Sequence, residues 1–297
     1  MSKQAFPDQQ LVRWVFHPSD FSEASQNAFA HALALSLLRE TELTILNVGG
    51  KGPSEEVWTS FPGVRPTLER WGLLEEGSPR SAVFEKLSLR VKKVSVKGSN
   101  ALSTILKYLG EDPADLIVLA TRHREGVPGW LTKKVSTPLA RKSGTMTLFV
   151  PEGTKGMVDP EDGRVSLKRI LVPVDRRPDP QGAIEIAART AKIVGQGTVE
   201  ITLLHIGDSG KMPELHLPED PSCSWNKVVR KGDAVEQIIG TANELSADLI
   251  VMMTEGHQGI LDALRGNTTE RVVNDAPCPL LAVPLAWVDQ VTRKSWY

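Results

Sequence analysis

Glycines and hydroxyls in one short stretch have the strongest claim to chemistry in this 297-residue chain. Gly256-His257-Gln258-Gly259 is followed, after Ile260-Leu261-Asp262-Ala263-Leu264-Arg265, by Gly266-Asn267-Thr268-Thr269. Glycine lets a main chain pass close to a phosphate, and amides at a helix start, helped by neighbouring hydroxyls, hold its oxygens. The stretch therefore suits a nucleotide polyphosphate. A glycine loop before a threonine-capped helix also serves plain structure in many α/β proteins, so both readings stand here. The other reactive side chains are scattered. His205 is expected at a strand end, His216 in a loop and His257 between the two loop glycines, and none has Cys or carboxylate at metal-ligand spacing. No Gly-x-Ser-x-Gly elbow and no Walker lysine loop is present, so no catalytic residue and no metal ligand is assigned. Cys223 and Cys278 read as ordinary reduced thiols, and Trp130 as a packing anchor that could otherwise stack on a base.

The elements that must position this loop are announced by an internal repeat. Ala114-Asp115-Leu116-Ile117-Val118-Leu119-Ala120-Thr121 returns as Ala247-Asp248-Leu249-Ile250-Val251-Met252-Met253-Thr254, an offset of 133 (248 − 115). Pro18-Ser19-Asp20 returns as Pro173-Val174-Asp175, an offset of 155 (175 − 20), so the first copy holds an insertion of 22 residues (155 − 133). It is placed at about residues 49–92, where Trp58, Phe61 and Trp71 predict helices packed on their own domain. The domains are expected at 1–152 and 167–297. The Gly-, Asp-, Glu- and Lys-rich stretch 153–166 between them reads as a linker.

Strand and helix signals alternate in both copies, which predicts a parallel sheet covered by helices. In the second copy strands are expected at Arg169–Val174, Val199–Ile206, Trp225–Arg230, Leu249–Met253 and Pro279–Val283. Helices are expected after Asp179-Pro180, after Gly232-Asp233 and at Asn267–Asn274. Right-handed crossovers favour a doubly wound five-stranded order 3-2-1-4-5, with a ligand crevice where strands 1 and 4 diverge, beside Pro173, Asp175 and Thr254. The fifth strand of each copy is short and apolar. Left at an edge it would invite partners, so the two are expected to pack together as an internal pseudo-dimer.

Lys plus Arg number 35 against 36 Asp plus Glu, which gives no electrostatic footprint of a nucleic-acid binder. No apolar run approaches the roughly 20 residues of a membrane span, and the start Met1-Ser2-Lys3-Gln4 is too polar for a secretory signal. A cytoplasmic protein is expected.

In these motifs the chain resembles the universal stress protein family in its tandem form. The resemblance rests on Pro173-Val174-Asp175, the Ala-Asp-Leu-Ile-Val strands, the glycine loop and the closing Pro277-Cys278-Pro279-Leu280-Leu281-Ala282-Val283-Pro284. It implies an adenine-nucleotide alpha-hydrolase-like fold and a non-enzymatic stress-response protein that senses ATP or AMP through its second copy. Any metal would be the Mg that a nucleotide carries. Pro173, Asp175 and Ile206 would border adenine and ribose. Gly256, Gly259, Gly266, Asn267, Thr268 and Thr269 would border the phosphates. Nucleotide-binding members separate the second and third glycines by nine residues and follow with Ser or Thr; here six separate Gly259 from Gly266, and Asn267 follows. The first copy keeps Gly126 and Gly129 but has Lys133 at the third position, with Ser136-Thr137 beyond it, and reads as degenerate. A weak ATP-hydrolysing enzyme using His257 and Asp262, and a nucleotide-free scaffold, remain alternatives. The protein partner and any homodimerisation are left open.

Overall fold

The computed structural model describes residues 12–38, 41–49, 55–121, 133–154, 156–254, 262–285 and 288. The first half runs β1 (Trp14–Pro18), α1 (Glu23–Leu37), β2 (Glu42–Gly49), α2 (Glu55–Ser60), α3 (Val64–Arg70), α4 (Ala82–Leu87), β3 (Arg90–Lys97), α5 (Ala101–Glu111), β4 (Leu116–Thr121), α6 (Lys133–Ser143) and β5 (Met146–Pro151). The second runs β6 (Arg169–Pro173), α7 (Gln181–Val194), β7 (Val199–Ile206), β8 (Cys223–Arg230), α8 (Ala234–Glu244), β9 (Leu249–Thr254), α9 (Asp262–Asp275) and β10 (Leu280–Pro284).

Helix starts follow from local chemistry. Asn100 and Asp233, one repeat apart, cap α5 and α8: Ser103 N donates to Asn100 Oδ1 at 3.0 Å, and Val235 N and Glu236 N donate to Asp233 Oδ1 at 3.0 and 3.1 Å. Such caps satisfy amides that the first helical turn cannot bond internally. The stripe Ala183, Ile186, Ala187, Ala191 and Val194 of α7 is buried, and α7 stops at Gly195. Along β4, Val118 and Ala120 enter the core on the α1 side, while Ile117 and Leu119 enter the core on the α5 side. A strand buried on both faces accounts for the unbroken apolar run of the repeat.

The repeated aspartate has a structural task in both copies. Asp115 Oδ2 accepts Arg13 N at 2.8 Å and Trp14 N at 3.1 Å, while Asp248 Oδ2 accepts Lys168 N and Arg169 N, each at 2.8 Å. Each carboxylate thus holds the entry of the neighbouring first strand, β1 or β6.

All ten strands form one sheet, ordered β3-β2-β1-β4-β5-β10-β9-β6-β7-β8. Within each half the order is 3-2-1-4-5 and the pairing parallel, as expected. The halves join where β5 and β10 pair antiparallel, with Leu280 opposite Phe149, Leu281 opposite Leu148 and Ala282 opposite Thr147. Leu148 and Leu281 differ by the repeat offset (281 − 148 = 133), so a pseudo-twofold axis passes through that pair. The internal pseudo-dimer is therefore one continuous sheet.

Helices α2 to α4 lie in the insertion, whose Phe61, Leu68, Trp71 and Leu74 are buried in the core on the α1 side. The stretch 153–166 has structure of its own. Val158 bridges Val165, Gly163 N donates to Asp159 O at 2.8 Å, and Met157 and Val158 are buried. This small hairpin lies against the insertion: Arg70 Nη2 and Trp71 Nε1 donate to Pro160 O at 2.9 and 3.1 Å.

The last helix also differs from expectation. α9 begins at Asp262 rather than Asn267. That start puts Gly266 at the fifth position of the helix, where amides already bond within the helix.

Candidate functional site

A cavity of about 340 Å³ opens at the carboxyl ends of β6, β7 and β9, where a doubly wound sheet diverges. That volume lies within the range of roughly 300–1,000 Å³ usual for small-molecule sites. Pro173, Asp175, Ile206, Thr268 and Thr269, all named from sequence, line it together, and Thr254 does too. Asp175 is exposed at the rim, where its Oδ1 accepts Arg176 N at 2.7 Å. Apolar side chains of Val174, Ile238 and Met252 form much of the wall.

The other named residues stand differently. Gly266 and Asn267 lie in the first turns of α9. Gly256, His257 and Gly259 fall outside the described residues, as do Gly126, Gly129 and Trp130 of the first copy. Lys133 and Lys134 begin α6. Thr137, assigned from sequence to the degenerate first site, instead borders the cavity of the second half.

Sequence reasoning missed the residues that reach this cavity from across the seam and from the next loop. Arg141 and Thr145 of the first half line it, and so does Arg177. Their arrival follows from register. β5 runs antiparallel to β10, so residues just before β5 stand level with the carboxyl end of β10. No local pattern announces a contact between residue 141 and a crevice built from residues 173–284.

Buried polar groups fix the turns around each crevice. Asn47 and His205 occupy matching places, each one residue beyond the register partner of Pro18 or Pro173. Asn47 Nδ2 donates to Ser19 O at 2.8 Å and His205 Nδ1 to Val174 O at 3.2 Å. His205 is thus a positioning group for the loop that carries Asp175. In the first half the counterpart Asp20 accepts Ser22 N at 3.2 Å. Beside it the insertion intrudes, with the Phe61 ring 5.0 Å from that of Phe21. The insertion therefore packs against the turn after β1. Among the described residues, no three His, Cys, Asp or Glu side chains gather to hold a metal ion.

A profile of the Universal stress protein family matches residues 15–151 and 217–284. A universal stress protein of Synechocystis sp. is 27% identical over 139 residues, covering 41% of this chain and 88% of that protein. One from Mycobacterium bovis is 23% identical over 277 residues, 82% of this chain and 88% of the other. The crystal structure of a universal stress protein from Archaeoglobus fulgidus matches the fold with a TM-score of 0.59 at 17% identity, over 91% of this chain and 98% of that one. With both halves matched by the family profile and joined in one sheet, the chain belongs to the universal stress protein family.

Proposed function

We propose that the protein is a non-enzymatic stress-response protein of the cytoplasm whose second domain, 167–297, binds ATP or AMP as a sensor. One observation carries this reading: Pro173, Asp175, Ile206, Thr268 and Thr269, far apart in sequence, meet on one cavity at the switch point of the second half. The apolar wall near Ile206 suits a purine face, and the Asp175 oxygen not used by Arg176 suits a ribose hydroxyl or the adenine amino group. The first domain, 1–152, is read as holding no nucleotide of its own, because Lys133 stands where close approach needs glycine.

Calorimetric titration with AMP and ATP in the presence of Mg tests the reading. Saturable binding below about 1 mM is expected, with affinity about tenfold weaker for Asp175→Ala, the effect of about one hydrogen bond to a charged group. No heat at millimolar nucleotide would remove the sensor and leave the scaffold.

A further inference from the structure

The cavity of the second half is closed partly by the first. Arg141 lies in the last turn of α6, exposed, and lines the same cavity as Asp175, Thr268 and Thr269. We infer that Arg141 meets the phosphate of a nucleotide held by the second domain, so that one ligand is shared by both halves of the chain. This inference rests on the adenine-nucleotide reading above and adds to it a phosphate-recognising residue from the other domain.

Three observations converge. First, α9 begins at Asp262, so the amides of Gly266, Asn267, Thr268 and Thr269 are spent inside the helix instead of being offered to a phosphate. Among the described residues on the cavity, the start of α9 then offers a phosphate the hydroxyls of Thr268 and Thr269 but no charge. Second, among the described residues Arg141 and Arg177 are the arginines on the cavity, and neither forms an ion pair there. Arg177 follows β6 beside Asp175, at the end assigned to ribose and base. Arg141 precedes β5, three strands away in the sheet, which is about 14 Å at the usual strand spacing. It therefore enters the cavity from the seam side, away from β6, and lines it together with Thr268 and Thr269. Third, the arrangement is one-sided. The residue one repeat offset from Arg141 is Asn274, so the pseudo-twofold axis returns no matching arginine to the first half. The half that keeps all three glycines in sequence is the half that receives the guanidinium. A guanidinium pairs with phosphate through parallel N–H donors, whereas an amide carries no charge.

A bland role for Arg141 is to complement the carbonyl end of α6. Binding measurements separate the two. AMP and adenosine are titrated into the wild-type full chain and into Arg141→Ala, with Arg141→Gln as a second variant that keeps part of the stem; thermal unfolding of each is recorded. Loss of about tenfold or more in AMP affinity, with adenosine affinity unchanged, is expected. The AMP affinity of the wild type should also fall with added salt more steeply than that of either variant. Equal AMP affinity in wild type and variants would overturn the shared site while leaving nucleotide binding by the second domain intact. Parallel losses for AMP and adenosine would do the same by assigning Arg141 to structure. If the wild type binds neither ligand, both readings fall.

Discussion

His17 and His31 are buried histidines that no site uses, and their chemistry makes a test of the fold. His17 Nδ1 donates to Val118 O at 3.0 Å and His31 Nδ1 to Asn27 O at 2.9 Å, while the Nε2 atom of each is buried without a partner among the described residues. Burial lowers both pKa values to about 4, outweighing the backbone hydrogen bonds and, for His17, the charge of Asp20. A depressed histidine pKa means that the unfolded chain takes up protons which the folded chain refuses. Stability from these groups is thus complete above about pH 6.5 and lost as pH falls toward 4, by up to about 3 kcal/mol each. Urea midpoints should drop between pH 7 and pH 5, and the drop should be smaller in His31→Gln. An unchanged slope in that variant would mean that His31 titrates normally in the fold. Cys278 tells the same story for a thiol, since burial pushes its pKa up to about 12.

Among the elements, the hairpin between the halves departs most from its sequence reading. Its Asp162-Gly163 pair is a turn dipeptide, and Gly163 takes a left-handed φ of 71° while a Cβ there would come within 2.3 Å of the Trp71 ring. Gly153 has a similar φ of 75° with nothing within 4 Å of a Cβ. Gly163→Ala therefore adds overpacking, about 1–3 kcal/mol, to the backbone strain of about 1–2 kcal/mol that Gly153→Ala suffers alone. Chemical denaturation of the two variants measures the difference. Equal losses would show that the hairpin does not rely on its seat against Trp71. At the sheet edges, β3 and β8 carry Lys92 and Arg230, paired with Asp112 at 2.6 Å and Glu244 at 2.7 Å. Charged edges of this kind discourage further strand pairing.

At the scale of the molecule, the β5 and β10 seam removes two apolar edges at once. Leu148, Phe149, Leu281 and Ala282 are all buried there. A chain cut to residues 1–166 would expose β5, so it should dimerise or aggregate in size-exclusion chromatography; a stable monomer with cooperative thermal unfolding would count against the seam as a stability requirement. The sequence by itself determined the duplication, the strand order within each half, the pairing of the fifth strands and five residues that meet on the cavity. These rest on periodicity, on handedness and on a repeated motif, all of which are local or self-similar along the chain. Only the tertiary structure decided that the hairpin at 153–166 is a packed element, that α9 starts five residues early and that Arg141 reaches across the seam. Each depends on which surfaces meet after folding: a glycine fits because Trp71 lies beneath it, and an arginine serves the other half because antiparallel register brings it level with the end of β10. Contacts of that kind leave no period or spacing in a single sequence.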